Sequence, residues 1–152
     1  MNTLHIEKDI IIARVDGIEA EVKELKRLNK QSLEIFSSGD GWKLAQFHLH
    51  RALEGVFNIS THVLSRIPGA HATQYKEIAA KMGELGIVSN DFARTKLVEM
   101  AKYRNRLVHF YAEVTAKELH GLIGKDLEDF HTFLSAIKQL LAHPETFGLT
   151  VE

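Results

Sequence analysis

Between Ile11 and Phe36 the chain keeps one spacing. Ile11, Val15, Ile18, Val22, Leu25, Asn29, Ser32 and Phe36 alternate steps of four and three residues. That mean period of about 3.5 lines side chains along one seam of a helix packed closely against antiparallel neighbours. A strand would alternate every second residue, so the stretch is compatible only with a helix, here from about Leu4 to Phe36. Gly17 weakens it by roughly 1 kcal/mol relative to alanine without breaking it. Ser37-Ser38-Gly39-Asp40-Gly41 carries the stop chemistry.

A second helix, from about Trp42 to Ile67, buries a stripe of Leu49, Leu53, Val56, Phe57, Ser60, Val63, Leu64 and Ile67, and Pro68-Gly69 ends it. A shorter helix spans about Thr73 to Leu85, closed by Gly86. Ser89 offers an N-cap to a fourth helix, about Asn90 to Tyr111, with Asp91 near its positive end. Thr115-Ala116-Lys117-Glu118 forms a capping box. It ends the fourth helix just after Tyr111 and starts the last one. That helix turns Leu119, Leu122, Ile123, Leu127, Phe130, Leu134, Ile137 and Leu141 inward until Pro144. No segment reads as a strand, and no repeat of fixed period is present. The expectation is an all-α, up-and-down bundle of four to five helices, one domain over residues 1–144 with a loose tail over 145–152.

Function classes narrow from here. No cysteine is present, which removes disulfides and thiolate metal sites. Ile10-Ile11-Ile12-Ala13, the longest apolar run near the start, is too short for a membrane span or a secretory signal, so a cytoplasmic protein without membrane contact is expected. His48 and His50 face away from each other on a helix and His62 is isolated, so all three read as surface or edge histidines. No paired Glu-x-x-His arrangement suggests a di-iron bundle. A formal net charge of −1 argues against bulk electrostatic binding of nucleic acid. Charge is uneven, however. Arg94, Lys96, Lys102, Arg104 and Arg106 stand against Glu99 alone between Arg94 and Tyr111, a local excess of four, and a polyanion would bind there.

The chemistry concentrates in Lys102-Tyr103-Arg104-Asn105-Arg106-Leu107-Val108-His109-Phe110-Tyr111. On a helix turning about 100° per residue, Leu97, Met100, Ala101, Leu107, Val108 and Tyr111 fall within about 60° of Arg104. The guanidinium thus occupies the face that should enter the core, at a cost of several kcal/mol unless it is paired or meets a polar cleft. Asn105 and His109, one turn apart, sit at the edge of that arc, and Arg106 points to the opposite side. His109 and Tyr111 fall at or near a helix C-terminus, where free carbonyls suit a cation. Arg followed by His at this kind of spacing occurs twice, but Arg66 to His71 straddles the stop at Pro68-Gly69. The other match lies on a helix and extends to Arg-Asn-x-x-x-His-x-Tyr.

Arg104-Asn105-Arg106-Leu107-Val108-His109-Phe110-Tyr111 resembles the Arg-x4-His-x-Tyr signature of HepT-like toxins, a branch of the HEPN superfamily. Phe47 to Arg66 is similar to that family's second helix. Tyr75-Lys76-Glu77-Ile78 with Leu85-Gly86-Ile87-Val88 is similar to its connector before the motif helix. The resemblance implies an all-helical homodimer and a metal-independent endoribonuclease toxin with no cofactor. It also implies a partner antitoxin of the minimal nucleotidyltransferase type, with Tyr111 matching the tyrosine that such antitoxins AMPylate to silence the toxin.

RNA is cut without a metal when its own 2′-hydroxyl attacks the adjacent phosphate. The reaction needs a base near neutral pH, a group to stabilise the phosphorane and an acid for the leaving oxygen. His109 fits the acid or base, and Arg104 fits charge stabilisation through its planar fork. Asn105 suits orienting the imidazole or a ribose hydroxyl, Tyr111 suits a phosphate or a base, and Lys102 and Arg106 suit the RNA backbone. On an ideal helix Arg104 and His109 diverge by about 140°, so the two motif helices are expected to face each other across a homodimer cleft, and Arg104's apolar arc to belong partly to that interface. Plainer readings stand beside these: an arginine paired with a buried carboxylate, an edge histidine, a packed tyrosine. The alternative function is a non-catalytic helical module that binds a nucleotide or a partner nucleotidyltransferase.

Overall fold

A computed structural model describes residues 4–152 and is helical almost throughout them. In chain order the elements are α1 (Lys8–Asn29), α2 (Leu33–Ser38), α3 (Gly41–Ser65), α4 (Tyr75–Glu84), α5 (Asn90–Phe92), α6 (Val98–His109), α7 (Ala116–Lys125) and α8 (Glu128–Ala142). A π-helical turn, Ala93–Leu97, joins α5 to α6 without leaving helical dihedrals, so these three pieces form one rod. The sole bridge among the described residues is a parallel pairing of Ile6 with Val151.

The centre is α3, which packs against α1 along its length and touches α2, α4, α6 and α7. Its stripe is buried as expected at Leu49, Leu53, Val56, Phe57, Ser60, Val63 and Leu64. Ser60 survives there because its hydroxyl donates to the Val56 carbonyl at 2.9 Å. From α1, Ile11, Val15, Ile18, Val22 and Leu25 face it, each such side chain worth about 1.5–3 kcal/mol when fully buried.

Three expectations are corrected. The first helix does not run unbroken to Phe36. It ends at Asn29, and Ser32 caps a new helix by accepting the Ile35 N–H at 3.2 Å. Leu28, not Asn29, fills the seam before the break. The last helix is likewise two, because the chain turns at Asp126–Leu127, and Phe133 and Leu140 are buried where Leu122 and Leu141 are only half-buried. The rods therefore number seven rather than five.

The tail is not loose either. A 3-10 turn, Pro144–Phe147, leads through Gly148 at φ +67° to Leu149, which is buried. The chain then pairs with the other terminus: Ile6 N–H donates to Thr150 O, Glu152 N–H to Ile6 O and Lys8 N–H to Glu152 O, each at 2.9 Å. Leu149 and Val151 give this segment apolar surface to bury.

Candidate active site

The motif helix starts where the sequence places it. Ser89 Oγ accepts the Phe92 N–H at 3.1 Å, and Leu97, Met100, Ala101 and Leu107 are buried. It stops two residues earlier than expected. His109 is the last helical residue, and Phe110 leaves the helix at φ −133°, ψ 33°. A 3-10 turn, Tyr111–Glu113, then leads to Thr115, whose hydroxyl accepts the Glu118 N–H at 3.1 Å and opens α7. Gln46 on α3 fastens this turn by donating to the carbonyls of Tyr111 (3.4 Å) and Val114 (3.5 Å). Because the helix has ended, Tyr111 is not on the buried arc: it is 61% exposed.

Arg104 finds its partner within the same chain. Its Nε donates to Glu54 Oε1 on α3 at 2.5 Å, with the two side chains 21% and 27% exposed. Nη1 donates to Asn105 Oδ1 at 3.1 Å. The guanidinium carbon lies 4.3 Å from the centroid of the Tyr75 ring, the range of a cation–π contact. That ring stacks in turn on Phe57, 4.7 Å away and inclined by 17°. The Tyr75 hydroxyl donates to Glu54 Oε2 at 3.3 Å. Burial, and next the Glu54 charge, raise the Tyr75 phenol above its ordinary range, so it stays a donor. His50 Nε2 stands 3.5 Å from the same carboxylate. Within one chain the charge on the apolar arc is therefore accommodated by an acid on the neighbouring helix, as in the plainer reading of an arginine paired with a carboxylate. Nη2 has no acceptor among the described residues, which leaves donors of the fork free for an anion.

The sequence reading assigns no chemistry to Glu54, Tyr75 or His50. The available signal was the row His50, Glu54, Asn58, spaced by four along the edge of the α3 stripe. Asn105, expected to orient an imidazole or a ribose, is engaged with Arg104. His109 is exposed, its ring meeting Phe110 edge-on at 6.3 Å between centroids. No hydrogen bond joins Arg104 to His109 among the described residues, in keeping with their divergence around the helix.

The basic run is largely paired with local acids. Lys102 meets Glu99 at 3.2 Å. Arg106 points away from Arg104 and grips Glu118 with both Nη atoms at 2.6 and 3.1 Å, its guanidinium 5.2 Å from the Tyr103 ring centroid. That bond holds the guanidinium above its already high ordinary range. Burial, with Glu118 adding to it, pushes the Tyr103 phenol up to about 12. Elsewhere His48 Nδ1 and Arg51 Nε share Glu21 at 2.5 and 2.7 Å. His62 Nε2 accepts the Glu7 N–H at 3.1 Å. Among the described residues no group of three or more His, Asp or Glu converges as a metal site would require, and none of their helices is long and apolar enough to cross a membrane.

Chemically, the site offers a pre-oriented guanidinium with free donors, and an accessible imidazole at a helix C-terminus with an exposed phenol two residues beyond it. A search of curated proteins returns no match. Several solved chains share the fold, two toxin–antitoxin complexes among them. One is a tri-AMPylated Shewanella oneidensis HEPN toxin in complex with MNT antitoxin, at 20% identity and a TM-score of 0.72, covering 91% of this chain and 99% of that one. The other is the mutant toxin–antitoxin complex MntA–HpeT, at 20% identity and 0.70, covering 86% of this chain and 98% of that one. The family model described as Ribonuclease HepT-like matches residues 18–137, which is most of the sequence, and the chain belongs to that HepT-like family.

Proposed function

We propose that this protein is a metal-independent endoribonuclease toxin. In this reading Arg104 stabilises the charge that builds on the phosphorane, and His109 acts as acid or base as the ribose 2′-hydroxyl displaces the 5′-oxygen. The observation that carries the reading is the Arg104 guanidinium, held from three sides yet with donors free, on the same short helix as an accessible imidazole. Asn105 keeps the fork in place. Lys102 and Arg106 take RNA phosphates on exchanging them for their present acids.

A homodimer would bring a second His109 to the cleft and supply acid and base together. Exposed Leu44, Phe47 and Phe110 favour such an interface near the site. The antitoxin is a minimal nucleotidyltransferase that AMPylates Tyr111. The similar fold seen as an AMPylated toxin bound to an antitoxin supports this, as does the exposure of the Tyr111 phenol. Each added AMP places a phosphate charge two residues from His109, which would compete with RNA for Arg104 and block access.

The test is direct. Arg104→Ala and His109→Ala should keep the fold and the oligomeric state but abolish RNA cleavage and growth inhibition. Cleavage should survive EDTA and leave 2′,3′-cyclic phosphate ends. AMP-free protein that cuts no RNA would overturn the enzyme reading. The Arg104–Glu54 pairing keeps a second reading in play, a non-catalytic module that docks a nucleotidyltransferase. It predicts partner binding that depends on Tyr111 while cellular RNA stays intact.

A further inference from the structure

We infer that Glu54 is a positioning residue for the reaction, acting through Arg104 to decide which edge of its fork meets the scissile phosphate. The inference rests on the ribonuclease reading above and deepens it.

An arginine side chain has four rotatable bonds, and nothing in helix geometry alone fixes its plane. Here three contacts fix it. Tyr75 lies against one face of the guanidinium, itself backed by Phe57. Glu54 Oε1 takes the Nε hydrogen, and Asn105 Oδ1 takes one from Nη1. With the Nε side occupied, the edge left for a ligand is the end of the fork, where Nη1 and Nη2 present parallel hydrogens that match two phosphate oxygens. The carboxylate is in turn fixed by the Tyr75 hydroxyl and flanked by His50. The orienting chain thus runs from α4 through α3 to α6.

Glu54 has a second, opposing effect. Its negative charge beside the fork weakens the attraction of a phosphate in the ground state. Orientation and charge can therefore be separated by choosing the replacement. Glu54→Gln keeps an oxygen able to accept from Nε and removes the charge. Glu54→Ala removes both.

The experiment measures single-strand RNA cleavage by the AMP-free protein at low ionic strength. Glu54→Gln should lower KM several-fold with kcat within about threefold of wild type. Glu54→Ala should lower kcat at least tenfold. A readout independent of cleavage accompanies these: the Arg104 Nε–H proton, seen by nitrogen-edited NMR, should exchange with water more slowly in wild type than in Glu54→Ala. Slowed exchange should return in Glu54→Gln. If wild type cleaves RNA and Glu54→Ala matches its kcat, the positioning role is overturned while the ribonuclease reading stands. If the AMP-free wild type cleaves no RNA, the ribonuclease reading falls, and with it the role assigned to Glu54. An Nε–H exchange rate identical in wild type and Glu54→Ala overturns the orienting contact itself.

Discussion

Gly83→Ala tests how closely α4 is seated against the start of the motif helix. A Cβ built on Gly83 would lie 2.5 Å from the Ala93 Cβ and 3.1 Å from Asn90 Oδ1. Ala93 has no rotamer to change, so relief requires the α5–π-turn backbone to move. Overpacking of this kind costs about 1–3 kcal/mol, and the absence of a flexible neighbour puts this case near the upper end. Against it stands a gain of up to about 1 kcal/mol in helix propensity, reduced because Gly83 is near the end of α4. The net expectation is a loss of about 2 kcal/mol, equivalent to a fall of about 4–8 °C in Tm for a chain of this size. Gly17→Ala is the internal control. It sits on the exposed face of α1 with nothing within 4 Å of its Cβ, so it gains propensity alone and should raise stability by about 0.5–1 kcal/mol. Urea unfolding of both variants, with equal m-values, supplies the two numbers. A Gly83→Ala protein as stable as Gly17→Ala would refute the close approach of α4 to Ala93.

Other consequences follow from single contacts. His62 accepts the Glu7 N–H, which only a neutral imidazole can do, and burial followed by Arg66 holds it below its ordinary value of 6.5. The unfolded chain takes up a proton near that pH which the fold refuses, so this contribution is complete above about 6.5 and is lost as pH falls below it. Thermal melts between pH 7.5 and 5 should show wild type losing more than His62→Gln, which keeps an acceptor without a titration. Thr115→Ala removes the α7 cap and should cost about 1 kcal/mol in denaturant unfolding. Arg104→Lys keeps the charge but not the fork, and should reduce cleavage by about 100-fold or more with Tm little changed.

What the sequence discloses about this fold is what is settled locally. Ser89 and Thr115 declare helix starts because a cap needs only a hydroxyl and a backbone N–H three residues on, and both bonds are present. The α3 stripe is legible because a buried face imposes its period on the residues themselves. The break at Lys30–Ser32 is not, since the 4-3 spacing continues in phase across it to the buried Phe36. Tyr111 is misplaced by extending the helix two residues past its end. Arg104 is legible as an anomaly, a charge on an apolar arc, but its partner is not. Glu54 lies 50 residues away, and no local rule connects an acid on one helix to a base on another. The π-helical turn leaves no mark either, because Ala93-Arg94-Thr95-Lys96-Leu97 is as suited to an ordinary α-helix.

That turn sets the azimuth of everything after it. A π-turn takes in one residue more than an α-turn over the same axial length. Were the same Ala93–Leu97 residues to wind as uniform α-helix, the extra residue would no longer be absorbed, and the downstream segment would rotate by about 100° relative to its Ser89 cap. Arg104 would then swing away from α3, and with it the whole Arg104-to-His109 string. The π-turn acts as a phase shim, absorbing the extra residue so that the motif keeps the bearing at which an acid from α3 is waiting.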